Sequence, residues 1–257
     1  MRESLHAEWT KLRTLASTFW LLLAAAALTV AVSAAAAAAV RCPSGGCTDD
    51  PAKISLTGIY LGQAVVAVLA VMAVSGEYGT GMIRLTLAAT PRRLTVLAAK
   101  AAVLAGLVLV TGAIAVFASL LAGGLILPGH GIGPSHGYPA ISASDGAVFR
   151  AAFGSVLYLA LIALLSLGAA TAVRDSATAI GTVLGLLYLF PIIAAVVDPH
   201  WQRHLQQIGP MSAGLDIQAT TNLHSLPISP WAGLGVLAAW AAGALVLGGI
   251  LLRSRDA

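Results

Sequence analysis

His200 and His204 stand four residues apart, so both imidazoles share one face if that segment is helical. Such a pair could begin a zinc site, but a zinc peptidase needs a glutamate directly after the first histidine as general base. Trp201 occupies that position, which removes the peptidase reading. Solvated loop histidines are the better reading of these two and of His130, His136 and His224, and no metal ligand set is assigned. No segment spells G-x-x-x-x-G-K-[ST], and none of the lysines (Lys11, Lys53, Lys100) follows such a loop, so the chain lacks that cradle for nucleotide phosphates. There is no pair of carboxylates inside an apolar stretch. No catalytic site is read, and the chain is not expected to be an enzyme.

The elements that would position any chemistry are hydrophobic. Apolar residues make up 58% of the 257-residue chain and charged residues 9%, against about 25% charged in ordinary soluble domains. Windows 14–40, 54–76, 101–144, 151–173, 176–197 and 217–252 carry no charge at all. Trimmed at polar and Gly/Pro-rich ends, they give spans near 18–40, 55–75, 97–127, 147–173, 177–197 and 231–252, each with about the 20 residues that cross a hydrocarbon core. Long alternating segments of the barrel type are missing, so backbone groups must be satisfied within helices. The expected fold is an all-α integral membrane protein with six transmembrane helices in one domain, residues 1–257.

Charge sets the expected orientation. With the amino terminus inside, Arg2, Lys11, Arg13, Arg84, Arg92, Arg93, Lys100, Arg174, Arg253 and Arg255 face the cytoplasm, against Arg41, Lys53, Arg150 and Arg203 outside. That asymmetry places both termini in the cytoplasm, and the net charge of +4 reads as membrane anchoring rather than nucleic-acid binding. Lys100 and Arg150, near span ends, would snorkel to water. Cys42 and Cys47, the only cysteines, fall in the first outward loop, where a small-loop disulfide competes with two free thiols. The start resembles a secretory signal, but its leader is long and holds Glu3 and Glu8, so residues 18–40 are kept as the first span.

Residues 2–16 read as an interfacial helix with Leu5, Trp9, Leu12 and Ala16 on one stripe, or as a plain basic anchor before the first span. Polar residues inside spans are few. Gln63 is the deepest, near Tyr60 on the second span, with Tyr188 on the fifth. Gln63 should face protein or a cavity, as a helix–helix hydrogen bond or as lining of a path. Gly181 and Gly185 form a G-x-x-x-G that suggests a close helix contact, within the chain or across a dimer. Pro191 should kink the same helix. Residues 128–146 look irregular, and residues 198–230 have room for one or two short helices.

The connector between spans two and three says most. Gly79 and Gly81 loosen its start, Thr80 can cap a new helix, and Thr90-Pro91 ends it. Ten residues at 1.5 Å each give ~15 Å, too short to cross a membrane. Met82, Ile83, Leu85 and Leu87 are too apolar for a free loop, while Arg84, Arg92 and Arg93 hold it at the surface. Such a helix must lie on the bilayer or dock on a partner.

These residues resemble a known family. Glu77-Tyr78 followed by Gly81, then Arg84-Leu85-Thr86-Leu87, Thr90-Pro91-Arg92-Arg93 and Lys100, look like the type-2 ATP-binding-cassette permease subunit of bacteria. The opening Glu8-Trp9-Thr10-Lys11-Leu12-Arg13-Thr14 is similar to the start of actinobacterial members. The resemblance implies an exporter in the bacterial cytoplasmic membrane, working as a pair of permease subunits, homomeric or heteromeric, on two separate ATPase subunits. ATP and Mg would bind those partners, leaving no cofactor on this chain. The connector would be the coupling helix, with Glu77, Tyr78, Gly79, Thr80, Arg84, Thr90 and Pro91 forming or positioning the ATPase contact. Tyr60, Gln63 and Tyr188 would line the path, and Gly181 and Gly185 would sit at the subunit interface. The competing function is a non-transporting assembly, immunity or signalling protein that keeps this fold.

Overall fold

The computed structural model describes residues 2–14, 16–41, 50–79, 93–133 and 145–254. All regular structure among them is helical. The helices are α1 (Arg2–Thr14), α2 (Ala16–Ala39), α3 (Pro51–Ser55), α4 (Ile59–Gly79), α5 (Arg93–Ile126), α6 (Gly146–Val173), α7 (Ser176–Val196), α8 (Pro199–Ile208), α9 (Pro210–Leu215) and α10 (Pro230–Ser254). Six of them (α2, α4, α5, α6, α7 and α10) are long and apolar enough to cross a membrane. Asp50, Asp145 and Asp175 cap α3, α6 and α7 by accepting hydrogen bonds from first-turn amides.

Two span boundaries depart from the sequence reading. The second span, expected at 55–75, is preceded by the separate helix α3 and a turn at 56–58, and α4 then continues to Gly79. Glu77 and Tyr78 therefore belong to its last turn rather than to a loop. The third span starts at Arg93 instead of 97, which puts Lys100 about two turns inside α5.

α6 is the inner helix: 67% of its most apolar window is buried, against 22% for α2 and for α7, which turn most of their surface outward. Its neighbours are α10, α5 and α4. Close approach depends on glycine. A Cβ on Gly58 would lie 1.8 Å from the Thr29 carbonyl oxygen, and one on Gly62 would lie 2.0 Å from Thr29 Oγ1. This G-x-x-x-G seats α4 on α2, and Ser33 Oγ accepts from the Gly58 amide at 3.0 Å. Added carbons at Gly181 or Gly185 would meet nothing within 4 Å among the described residues. The packing role within the chain thus falls to a different pair from the one the sequence suggested.

At the far end from the connector, residues 198–230 form α8, α9 and two 3-10 turns, Asp216–Gln218 and Leu223–Ser225. Asp50 ties this segment down by accepting from the Thr220 hydroxyl at 2.6 Å and from the Thr221 amide at 3.0 Å. The Arg150 guanidinium donates to the Ala219 carbonyl at 2.6 Å. Cys42, Cys47 and His136 lie outside the described residues, as does the disulfide expected of the first two.

Candidate functional site

Glutamate in the last helical turn is electrostatically misplaced, because the partial charge there is already negative. Glu77 occupies that position at the end of α4, and the fold answers it with two ammonium groups. Lys100 donates to Glu77 Oε1 at 2.6 Å and Lys11 donates to the same oxygen at 3.0 Å. Lys100 also reaches Glu8 Oε2 at 2.8 Å, and Lys11 reaches Glu8 Oε1 at 3.3 Å. The side chains of Lys100, Glu8 and Glu77 are 6%, 4% and 12% exposed, while that of Lys11 is 30% exposed. The four charges sum to zero, which is how a protein tolerates ions away from water. Burial alone would lower the Lys11 pKa, yet its hydrogen bond to Glu77 and the charges of Glu8 and Glu77 outweigh that, and the net direction is upward.

This cluster corrects one expectation. Lys100 is buried and paired rather than snorkelling, because α1 folds back and brings Glu8 to it. Its ammonium also joins two carboxylates, one from α1 and one from the end of α4, both outside the uncharged windows. The stripe expected on α1 is also turned: Glu8 and Leu12 are buried, at 3% and 5%, and Trp9 is 44% exposed. α1 thus docks on α5 through a mixed polar and apolar face.

The same end gathers the other helix termini. Arg93, the first residue of α5, donates to the Leu252 carbonyl at 2.8 Å, one of the oxygens that the last turn of α10 leaves unpaired. Arg174 adopts the left-handed conformation after α6, at φ 66°, and its guanidinium stacks 5.5 Å from the Tyr78 ring centre. Glu77, Tyr78, Lys100, Arg93 and Arg174 therefore frame both ends of the connector. Thr80, Arg84, Thr90 and Pro91, with the expected coupling helix itself, lie outside the described residues.

Beside the cluster is a pocket of about 440 Å³. Glu8, Lys11, Glu77 and Lys100 line one part, and Leu12, Leu21, Leu69 and Met72 line another. Glu77 Oε2 is buried with no hydrogen-bond partner among the described residues. A buried acceptor left so costs about 1–3 kcal/mol, and more when charged.

The path residues expected from the sequence do come together, around a fourth that it did not single out. Gln63 is fully buried and donates to the Tyr60 carbonyl at 3.2 Å and to Met211 Sδ at 3.2 Å. The Tyr158 hydroxyl donates to Gln63 Oε1, and the Tyr188 hydroxyl donates to the Tyr60 carbonyl. Tyr158 is itself fully buried on α6. Of the two roles open to Gln63, this arrangement is the helix–helix hydrogen bond, joining α4, α6 and α9. Tyr60 is 36% exposed and Tyr188 half-buried, so those two face outward from the same layer. A tyrosine among the apolar residues of the fourth span was the one available signal for Tyr158.

His204 lies on α8 with its ring 6.4 Å from that of Trp201. Among the described residues no group of three or more His, Cys, Asp or Glu side chains could hold a metal ion. No protein-family model matches the chain, and no curated protein matches it.

Proposed function

We propose that this chain is the membrane subunit of an ATP-binding-cassette exporter in the bacterial cytoplasmic membrane. It pairs with a second permease subunit and couples to a separate ATPase through residues 80–92. The observation that carries this reading is the ionic tie across the connector. Lys100 grips Glu77 and Glu8 together, so a push on the connector reaches α1, α4 and α5 as one body. A device that turns the movement of a partner into movement of spans needs such a joint. Glu77 then positions the contact, since its charge is spent inside the chain, and Arg84 makes it. The open face at Gly181 and Gly185 supports a role between subunits rather than within one.

A second reading, a non-transporting protein of the same fold, draws on one observation: Gln63 is sealed among protein atoms and lines no path in the single chain. The two separate on Arg84→Glu. The permease reading expects normal insertion with loss of a co-purifying ATPase. Unchanged recovery of that ATPase with the variant would remove residues 80–92 from the coupling role.

A further inference from the structure

The short helix α8 turns its apolar side away from the protein. Trp201, Leu205 and Ile208 share one stripe at spacings of four and three residues, and Trp201 and Ile208 are 63% and 54% exposed. Gln206 and Gln207, on the other side, are half-buried. There the Gln206 carbonyl accepts from the Ser212 hydroxyl at 2.9 Å, and Gln207 Nε2 donates to the Pro227 carbonyl at 2.7 Å. A surface helix in water has the reverse arrangement, with its apolar side on the core.

The neighbouring spans give the depth of α8. The 21 residues of α7 rise by ~32 Å, about the thickness of a hydrocarbon core. A Cβ on Gly209, the residue after α8, would lie 3.3 Å from Phe190 Cβ. Phe190 is six residues from the end of α7 at Val196, or ~9 Å inward. A Cβ on Gly233, three residues into α10, would lie 2.0 Å from the Ala213 carbonyl oxygen. The Trp240 indole, further along α10, donates to the Ile208 carbonyl at 2.9 Å. The chain therefore runs inward along α8 and turns at Gly209 about 5–10 Å inside the span ends. Ile208 there lines a groove of about 650 Å³ together with Leu186 of α7 and Trp240 and Leu247 of α10.

We propose that α8 is embedded in lipid, in the leaflet remote from the connector, with Trp201 and Ile208 in the acyl region. Its apolar face continues the surface that α7 and α10 turn outward, since Ile208 shares a groove with side chains of both, and little of either span is buried. The depth matches the 5–10 Å to which amphipathic helices sink at the boundary of headgroups and acyl chains. Arg203, exposed on the polar side of α8, extends toward the headgroups. The inference rests on the membrane-spanning fold and stands independently of any transport role.

The test is the accessibility of nitroxide labels on the full chain in phosphatidylcholine liposomes. In a background carrying Cys42→Ser and Cys47→Ser, Trp201→Cys, Arg203→Cys and Ile208→Cys are labelled one at a time. Val246→Cys, exposed within α10, gives the hydrocarbon reference. Electron paramagnetic resonance power saturation then compares collisions with oxygen, which concentrates in hydrocarbon, and with a nickel chelate, which stays in water. The expected ratio of oxygen to nickel collisions at positions 201 and 208 is at least five-fold that at 203, with 208 close to the reference. Nickel collisions as frequent at 208 as at 203 would place α8 in water and overturn the proposal. Low collision rates with both reagents at 201 and 208 would mean that a second copy covers the face, and would overturn it as well.

Discussion

Lys100→Met separates a structural ion cluster from a decorative one. Lys100 is bonded at 2.6 Å and 2.8 Å to two carboxylates, and its own side chain is 6% exposed. Removing it leaves Glu8 and Glu77 sharing Lys11 alone, a net charge of −1 in a site with little access to water. Breaking a buried pair from one side costs ~3–5 kcal/mol, a shift of roughly a hundred- to a few-thousand-fold in the folding equilibrium at 1.4 kcal/mol per factor of ten. Adding Glu8→Gln restores neutrality, because Lys11 and Glu77 remain paired at 3.0 Å. The double variant should therefore recover about 0.5–3 kcal/mol of that loss, the range seen for residues in one network. Reversible unfolding in mixed micelles, followed by tryptophan fluorescence, measures both, and Trp9 on α1 reports the undocking of that helix. If the losses of Glu8→Gln and Lys100→Met simply add, the cluster is not a coupled unit and the reasoning fails.

Other outcomes follow from particular contacts. Gly58→Ala should destabilise the chain by ~1–3 kcal/mol, because the new carbon meets the Thr29 backbone, whereas Gly181→Ala should leave the single chain unchanged; the same unfolding assay compares them. Tyr158→Phe should cost about 1–3 kcal/mol by stripping the donor from the buried Gln63 Oε1, and Gln63→Met together with Tyr158→Phe should recover part of it. Burial raises the Asp216 carboxyl from 3.8 to about 6 against the opposing charge of Lys53. The folded state then holds that proton more tightly than the unfolded state, so stability falls as pH rises from about 4 to about 6 and is flat above. Asp216→Asn should flatten that part of the curve when the thermal midpoint is measured against pH.

The spans were legible because lipid demands long uncharged runs, and that signal survives without any knowledge of neighbours. The ion cluster was not. Glu8, Glu77 and Lys100 are 69, 23 and 92 residues apart pairwise, and each alone reads as an ordinary flanking charge. Only the return of α1 onto α5 makes them one group. Glycine spacing was ambiguous for a related reason. Gly58 and Gly62 have the same spacing as Gly181 and Gly185, and the pattern cannot tell which pair faces a neighbour within the chain. Gln63 was foreseen as facing protein, since lipid offers no partner, but its Tyr158 partner depended on how α6 sits in the bundle.

That this chain is the membrane half of a two-part pump is tested most directly by gentle affinity purification from native membranes. Every co-purifying chain is identified and ATP hydrolysis is assayed in the same sample. The permease reading predicts an ATPase subunit in stoichiometric amount, with turnover that Arg84→Glu abolishes. A lone oligomer without hydrolysis, after repeated mild extraction, would contradict it.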